Sequence, residues 1–159
     1  MLKVLLLSLM ALAHTEHGAH VHGAGKVSIA FDGKKGKVEF HAPSEAIYGF
    51  EHSAKSKKDK QKKEEGLAKL DNMSEMMVFD PSLKCEVKKE IFEVIEQKSH
   101  SDVEAEFAVN CEAPVAGSTV TFNFQKFYPR LKRVQVEVLV DQVQKSLEVK
   151  KNGESLELK

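Results

Sequence analysis

Short runs in which apolar and polar residues alternate restrict the fold of this chain more than any other feature. The strongest run has valine at every second position, at Val134, Val136, Val138 and Val140. Weaker runs with the same period cover residues 27–31, 38–42, 103–111 and 120–124. Successive side chains of a strand point to opposite faces, so this period indicates half-buried strands. The pattern predicts an α+β, mainly β fold: an antiparallel β-sandwich or a partly open barrel with one charged helix.

The one helix is predicted over Ser53 to Asp71, with Ser53 or Ser56 as its N-cap. Residues 55–65 are charged and mostly basic, which is typical of a solvated helix face. The alternative is a surface that binds a polyanion or a membrane. Three methionines follow closely, at Met73, Met76 and Met77. We interpret them as core residues beneath the helix rather than as copper ligands.

The N-terminus has the features of a cleaved secretory signal peptide over residues 1–13. Lys3 supplies a positive charge, residues 4–13 form a short apolar run, and small residues at Ala11 and Ala13 mark a cleavage site. The run is too short to span a bilayer comfortably. The mature chain is therefore predicted to be exported without stable membrane insertion. We expect it to divide into a His-rich segment, residues 14–25, and a β-rich domain, residues 26–159.

Charge and motifs exclude some classes of function. The 24 basic and 24 acidic residues balance, so nothing favours attraction to nucleic acid. No H-E-x-x-H or G-x-S-x-G sequence occurs, and we predict that the protein is not an enzyme.

The chain contains two cysteines, Cys85 and Cys111. In an oxidising compartment such a pair usually forms a disulfide bond. The alternative is a pair of metal-binding thiolates, although neither cysteine has another Cys or a His at close ligand spacing.

Histidines are concentrated near the predicted mature N-terminus. Four of the seven lie within nine residues, at His14, His17, His20 and His22. Imidazole is the commonest metal-ligating side chain and suits zinc, with copper as the alternative. Residues two apart on a strand share a face, which makes His20 with His22, and His100 with Asp102, candidate chelating pairs. His41 and His52 are weaker candidates for the same site.

The turn at residues 32–36 predicts a hairpin between the first two strands. If Phe31 lies near Val38, His41 lies opposite Ser28, and His22 faces the region of residues 47–49. In that register His52 is a nearer neighbour of His20 and His22 than His41 is.

Several motifs, taken in order, resemble the ZrgA-like proteins, a group of periplasmic proteins of Gram-negative bacteria tied to zinc uptake. They are the sequences His17–Gly23, Glu39–Pro43, Gly49–His52, His100–Phe107 and Phe127–Leu131. The resemblance implies zinc binding in the periplasm, with a zinc uptake transporter as a possible partner. It favours His20, His22, His100 and Asp102 as ligands. Many relatives carry a long His/Asp-rich insert before the His-x-Asp motif, and here residues 93–99 replace it, which argues against high-capacity zinc storage.

Two hypotheses follow from the sequence. The first is a periplasmic zinc-binding protein that captures the ion for uptake. The second is a non-catalytic β interaction module whose histidines are incidental. Ligand histidines must be neutral, so the first hypothesis predicts that metal binding weakens as the pH falls through about 6.5.

Overall fold

The computed structural model describes residues 21–159, which form nine strands, four α-helices and two short 3₁₀ turns. The signal peptide predicted over residues 1–13 and the histidines at 14, 17 and 20 lie outside the described residues. In chain order the strands are β1 (Ala24–Asp32), β2 (Lys35–Pro43), β3 (Met77–Phe79), β4 (Glu86–Glu96), β5 (Ser101–Asn110), β6 (Thr119–Phe122), β7 (Arg133–Val140), β8 (Val143–Val149) and β9 (Glu154–Glu157). The helices are α1 (Ser44–Tyr48), α2 (Lys57–Ala68), α3 (Met73–Met76) and α4 (Phe124–Phe127), and the 3₁₀ turns are Lys69–Asn72 and Pro81–Leu83.

Within residues 21–159 the strands form two sheets. The larger has the order β4–β5–β2–β1–β7–β8 and the smaller has the order β3–β6–β9. This confirms the α+β, mainly β class with one longer helix, and the sheets do not close into a barrel. One described pair departs from antiparallel geometry, because β1 and β7 run parallel. Two parallel strands cannot be connected by a tight turn, and here β2 to β6 lie between β1 and β7 in the chain. No local turn in the sequence therefore predicts this pair.

The core lies on one face of the larger sheet, beneath the smaller sheet and the helices. Apolar residues of β1, β2, β5 and β7 alternate inward as predicted, and Val27, Phe40 and Phe107 are no more than 1% exposed. The ring centroid of Phe40 lies 6.5 Å from that of Phe124 in α4 and 6.4 Å from that of Tyr128. The three methionines at 73, 76 and 77 are fully buried, which confirms their interpretation as core residues.

The predicted helix is shorter than expected and begins later. Ser56, rather than Ser53, is its N-cap, and its Oγ accepts a hydrogen bond from the Asp59 amide at 3.0 Å. The α-helix ends at Ala68 and continues as a 3₁₀ turn to Asn72. The short helices α1 and α4 were not predicted, because neither is long enough to show a helical period.

The disulfide bond between Cys85 and Cys111 is present, as predicted, and the thiolate alternative is wrong. Cys85 directly precedes β4 and Cys111 directly follows β5. The bond therefore joins the ends of this antiparallel pair that lie farthest from the β4–β5 turn.

The β1–β2 hairpin turns through Gly33 and Lys34, because Asp32 already pairs with Lys35. Phe31 consequently lies opposite Gly36 rather than near Val38, and His41 lies opposite Lys26 rather than Ser28. Gly33 adopts a φ of 57°, which a two-residue turn favours and which glycine adopts without strain. The assumed register is therefore wrong by two residues, and this changes which side chains meet at the far end of the hairpin.

Candidate metal site

Three strand ends meet at one edge of the larger sheet. β1 and β5 begin there, and β2 ends there. His41, near the end of β2, pairs in register with Lys26 on one side and with Glu104 on the other. Pro43, two residues later, pairs with Asp102. This edge therefore gathers several of the residues singled out in the sequence.

His41, Asp102 and Glu104 form a cluster on the outer face of the sheet. The Nε2 atom of His41 lies 3.7 Å from Asp102 Oδ1 and 3.9 Å from Glu104 Oε1. The apolar residues that alternate with them on β5, Val103 and Ala105, are buried and point to the core. Asp102 and Glu104, two residues apart on β5, therefore share this outer face.

The two carboxylates of this cluster differ in their access to water. The side chain of Asp102 is 2% exposed, whereas those of His41 and Glu104 are 36% and 39% exposed. Withdrawing a carboxylate from water is costly unless a cation or hydrogen-bond donor faces it. His41, which is more exposed, lies within 4 Å of this buried carboxylate.

The spacing of these atoms suits a zinc ion. Zinc bonds of about 2.0–2.2 Å at tetrahedral angles separate two ligand atoms by about 3.3–3.5 Å. The distances from His41 Nε2 to the two carboxylate oxygens exceed this by a few tenths of an ångström. Small side-chain rotations would bring one imidazole and one carboxylate onto a common ion.

The start of β5 is fixed from below by hydrogen bonds of Ser101. Its Oγ donates to the Glu51 carbonyl at 3.1 Å and lies 3.5 Å from the Tyr48 hydroxyl. Ser101 is 1% exposed, so these contacts form in the interior. They join the end of α1 and the segment after it to the strand that carries Asp102.

His22 lies beside the same edge but not on a strand. It occupies a turn before β1, where Gly23 adopts a φ of 73°, so the strand geometry assumed for the His20/His22 pair is wrong at His22. The Gly23 carbonyl accepts hydrogen bonds from the amides of Lys132 at 2.7 Å and Arg133 at 3.1 Å. These bonds hold the turn against the chain that leads into β7.

Glu45 is the carboxylate that faces His22. Its Oε2 lies 4.0 Å from His22 Nδ1, and its Oε1 lies 3.7 Å from Arg130 Nε. Glu45 was not predicted, because the assumed register placed His22 opposite residues 47–49. A two-residue turn at Gly33–Lys34 would have identified it, since the hairpin then brings position 22 opposite position 45.

His52 and His100 have other local surroundings. The ring of His52 stacks on Phe50 with centroids 4.6 Å apart, and its Nδ1 lies 3.1 Å from the Ser53 carbonyl. His100 directly precedes β5, and its Nδ1 lies 3.2 Å from Ser99 Oγ. Their membership of a metal site stays a prediction.

A cleft next to this edge separates the start of α2 from the β4–β5 turn. It is lined by Glu51, His52, Ser53, Lys55, Ser56, Asp59, Glu96, Gln97, Lys98 and Ser99. Hydrogen bonds from Lys63 and Ser53 lower the pKa of Glu96 from its usual value. Within residues 21–159 no three His, Cys, Asp or Glu side chains are arranged to hold a metal ion by themselves.

Fold and site together define a class of protein: an α+β, mainly β domain with imidazole and carboxylate groups gathered at one edge of its larger sheet. Among the described helices none is long and apolar enough to cross a membrane. The model of the ZrgA family, described as "ZrgA family zinc uptake protein", matches residues 19–158. The chain therefore belongs to this family of zinc uptake proteins, as the resemblance predicted. The curated proteins include no significant match.

Proposed function

We propose that this protein captures zinc in the periplasm and holds it for uptake, without catalysing a reaction. The observation that carries the proposal is the position of His41 Nε2 within 4 Å of both Asp102 and Glu104. Membership of a zinc uptake family supports zinc as the cargo. The disulfide bond and the apolar leader sequence support an exported protein.

His41 and Asp102 are the ligands that we place at the centre of the site. A tetrahedral site needs two further ligands, and the histidines that precede β1 can supply them. His22 lies beside this edge, and His20 is two residues away along the chain, within about 7 Å at full extension. His100, two residues before Asp102, is the other candidate. Ligands from a chain terminus can leave one at a time, which suits an ion that must be handed on.

Calorimetric titration of zinc into the metal-stripped chain from His14 onward tests this function. We expect one zinc ion per chain with a submicromolar dissociation constant, and weaker binding at lower pH because ligand imidazoles must be neutral. Copper(II) is the competitor, since nitrogen ligands generally favour it over zinc. Absence of saturable zinc binding would remove the function, and saturable copper(II) binding by a protein that does not bind zinc would replace zinc by copper as the cargo.

A further inference from the structure

Most of the positive charge on and just before the helix α2 is not paired with acidic residues of the domain. Residues 55–65 contain six lysines and three acidic residues, in a chain whose net charge is zero. Of the described residues of α2, Gly66 alone is buried. Lys63 forms an ion pair with Glu96 at 3.1 Å. The other five lysines of this run form no ion pair within the described residues. They are Lys55, Lys57, Lys58, Lys60 and Lys62.

The lysines are placed where the helix itself does not favour them. The first turns of an α-helix carry a partial positive charge, which disfavours cations. Lys57, Lys58 and Lys60 lie in those turns, at the opposite end from the one that lysine stabilises. Neither core packing nor helix stability therefore explains this cluster, whereas an anionic partner would.

A groove with an apolar floor runs between α2 and the edge strand β4. The floor is formed by Ala54, Leu67, Ala68 and Phe92, and the walls by Lys60, Lys63, Glu64 and Lys89. Phe92 is 44% exposed although it is a large aromatic side chain, and Lys89 Nζ lies 5.4 Å from its ring centroid. Lys63 and Lys89 are ion-paired with Glu96 and Asp71 respectively. Of the wall lysines, Lys60 alone has no ion pair within the described residues, and it places a positive charge beside the apolar floor.

We propose that this groove binds an acidic polypeptide segment that carries an apolar side chain. Charge complementarity selects the acidic residues, which would lie against Lys60 on the groove wall and against Lys57, three residues earlier on the same face of α2. The apolar side chain would cover Phe92 and Leu67. A groove walled by a helix on one side and a strand on the other fits an extended chain better than the flat surface of a membrane. Glu64 lies on the α2 wall nearer Leu67, so the acidic residues of the segment belong at the Lys60 end.

The test uses the full mature chain in the presence of a chelator, so that the result is independent of zinc binding. A fluorescein-labelled peptide of Asp and Glu with central leucines is titrated with the protein and followed by anisotropy. We expect saturable binding that weakens about tenfold in K57E/K60E and in F92S. Glutamate is favoured in the first helical turns, so the charge reversal should leave the far-ultraviolet circular dichroism spectrum unchanged.

The matched control is K34E/K35E, which makes the same charge change at the exposed turn between β1 and β2 and should bind the peptide like the parent protein. The proposal is overturned if the peptide does not bind, or if both charge reversals weaken binding equally. It is also overturned if vesicles containing phosphatidylglycerol bind the protein and the peptide does not.

Discussion

His41 owes its position to two strand pairings, one with Lys26 on β1 and one with Glu104 on β5. Backbone hydrogen bonds on both sides fix the strand, and the alternation of β2 turns the imidazole away from the core. Asp102 is held by the same sheet, opposite Pro43. A metal ligand on a doubly paired strand is pre-positioned, so little ordering is needed when the ion binds.

We therefore predict that His41→Ala and Asp102→Asn each lower the zinc affinity at least about tenfold. Mutation of the groups that merely support a metal ligand usually lowers the affinity by this factor or more. Asparagine keeps the shape of the buried side chain but removes its charge. Competition with a chromophoric zinc chelator measures the effect. Asp32→Asn, an exposed change at the other end of β1, is the matched control and should bind zinc like the parent protein. Equal affinity in all four proteins would exclude the cluster as the site.

The sequence predicted the faces of these residues but not their neighbours. Alternation in residues 38–42 and 103–111 indicated which positions face the core, because the period of a strand is visible in the residues themselves. The neighbours of a residue depend on strand register, which the sequence did not fix. The observed register differs by two residues from the assumed one, so His22 lies near Glu45 instead of residues 47–49. His20 lies outside the described residues, and its role stays a prediction.

Tyr128 gives a prediction about pH. Its hydroxyl donates a hydrogen bond to the Gly66 carbonyl at 3.0 Å, and burial, with a smaller contribution from Asp71, raises its pKa. In the unfolded chain tyrosine ionises near pH 10. The folded state then retains the proton while the unfolded state loses it, so stability decreases as the pH rises above about 10.

Tyr128→Phe should lower the free energy of unfolding by about 1 kcal/mol at neutral pH, because the hydrogen bond is lost. Above about pH 10 the difference between the two proteins should narrow, since phenylalanine cannot ionise. Urea denaturation at both pH values measures this. A difference that widens at alkaline pH would contradict the assignment of the buried hydroxyl.

At the scale of elements, α2 depends on one close approach. A Cβ atom at Gly66 would lie 2.7 Å from the Tyr48 Cβ and 2.8 Å from the Ile47 carbonyl oxygen. The helix can therefore lie against α1 only with glycine at this position. Since α2 has little apolar surface of its own, this contact, the hydrogen bond from Tyr128 and the Lys63–Glu96 ion pair together attach it to the domain.

We predict that Gly66→Ala lowers the free energy of unfolding by at least about 1 kcal/mol, because the clash outweighs the intrinsic preference of alanine for helices. Thermal or urea unfolding followed by circular dichroism measures it. Lys62→Ala, on the exposed side of α2, is the control and should change stability by less than about 0.5 kcal/mol. Stabilisation by Gly66→Ala would show that the two helices are not in close contact.

The helices also show why sequence patterns predict some elements and not others. The charged run and the serine cap identified α2, although the predicted start at Ser53 was early by one turn. The helix α1 is five residues long and follows Pro43. It is stabilised by the tertiary packing of the buried residues Ile47 and Tyr48, and it is too short to show a repeating sequence pattern. Elements of that length are specified by the neighbours they contact.

At the scale of the whole molecule, the disulfide bond and the candidate metal site lie at opposite ends of β5. Asp102 and Cys111 are nine positions apart in the sequence, which is about 30 Å along a strand. The bond closes a loop with a sequence separation of 26 residues. Its main effect is therefore expected on global stability, through restriction of the unfolded chain.

The double variant C85S/C111S should lose about 3 kcal/mol of unfolding free energy, measured by urea denaturation, while its zinc affinity stays within about twofold of the parent value. A large loss of zinc affinity in the still-folded variant would contradict the separation of the two features. A negligible loss of stability would show that the bond does not restrict the unfolded chain as expected.

The fold class was predictable because alternating runs are local, whereas the arrangement of the strands was not. The parallel pairing of β1 with β7 joins segments about a hundred residues apart and leaves no mark in either segment. The division into a larger and a smaller sheet likewise follows from packing across the core, where Phe31 meets Phe79 with ring centroids 5.5 Å apart. Patterns within a segment do not specify these partners.

The most direct test of the central claim is X-ray absorption at the zinc edge, recorded on the zinc-loaded mature protein and on its His41→Ala variant. We predict nitrogen and oxygen ligands with at least two imidazoles and no sulfur in the parent protein, and one imidazole fewer in the variant. An unchanged imidazole count in the variant, or a zinc ion bound by water and carboxylates alone, would contradict the assignment of His41 as a zinc ligand.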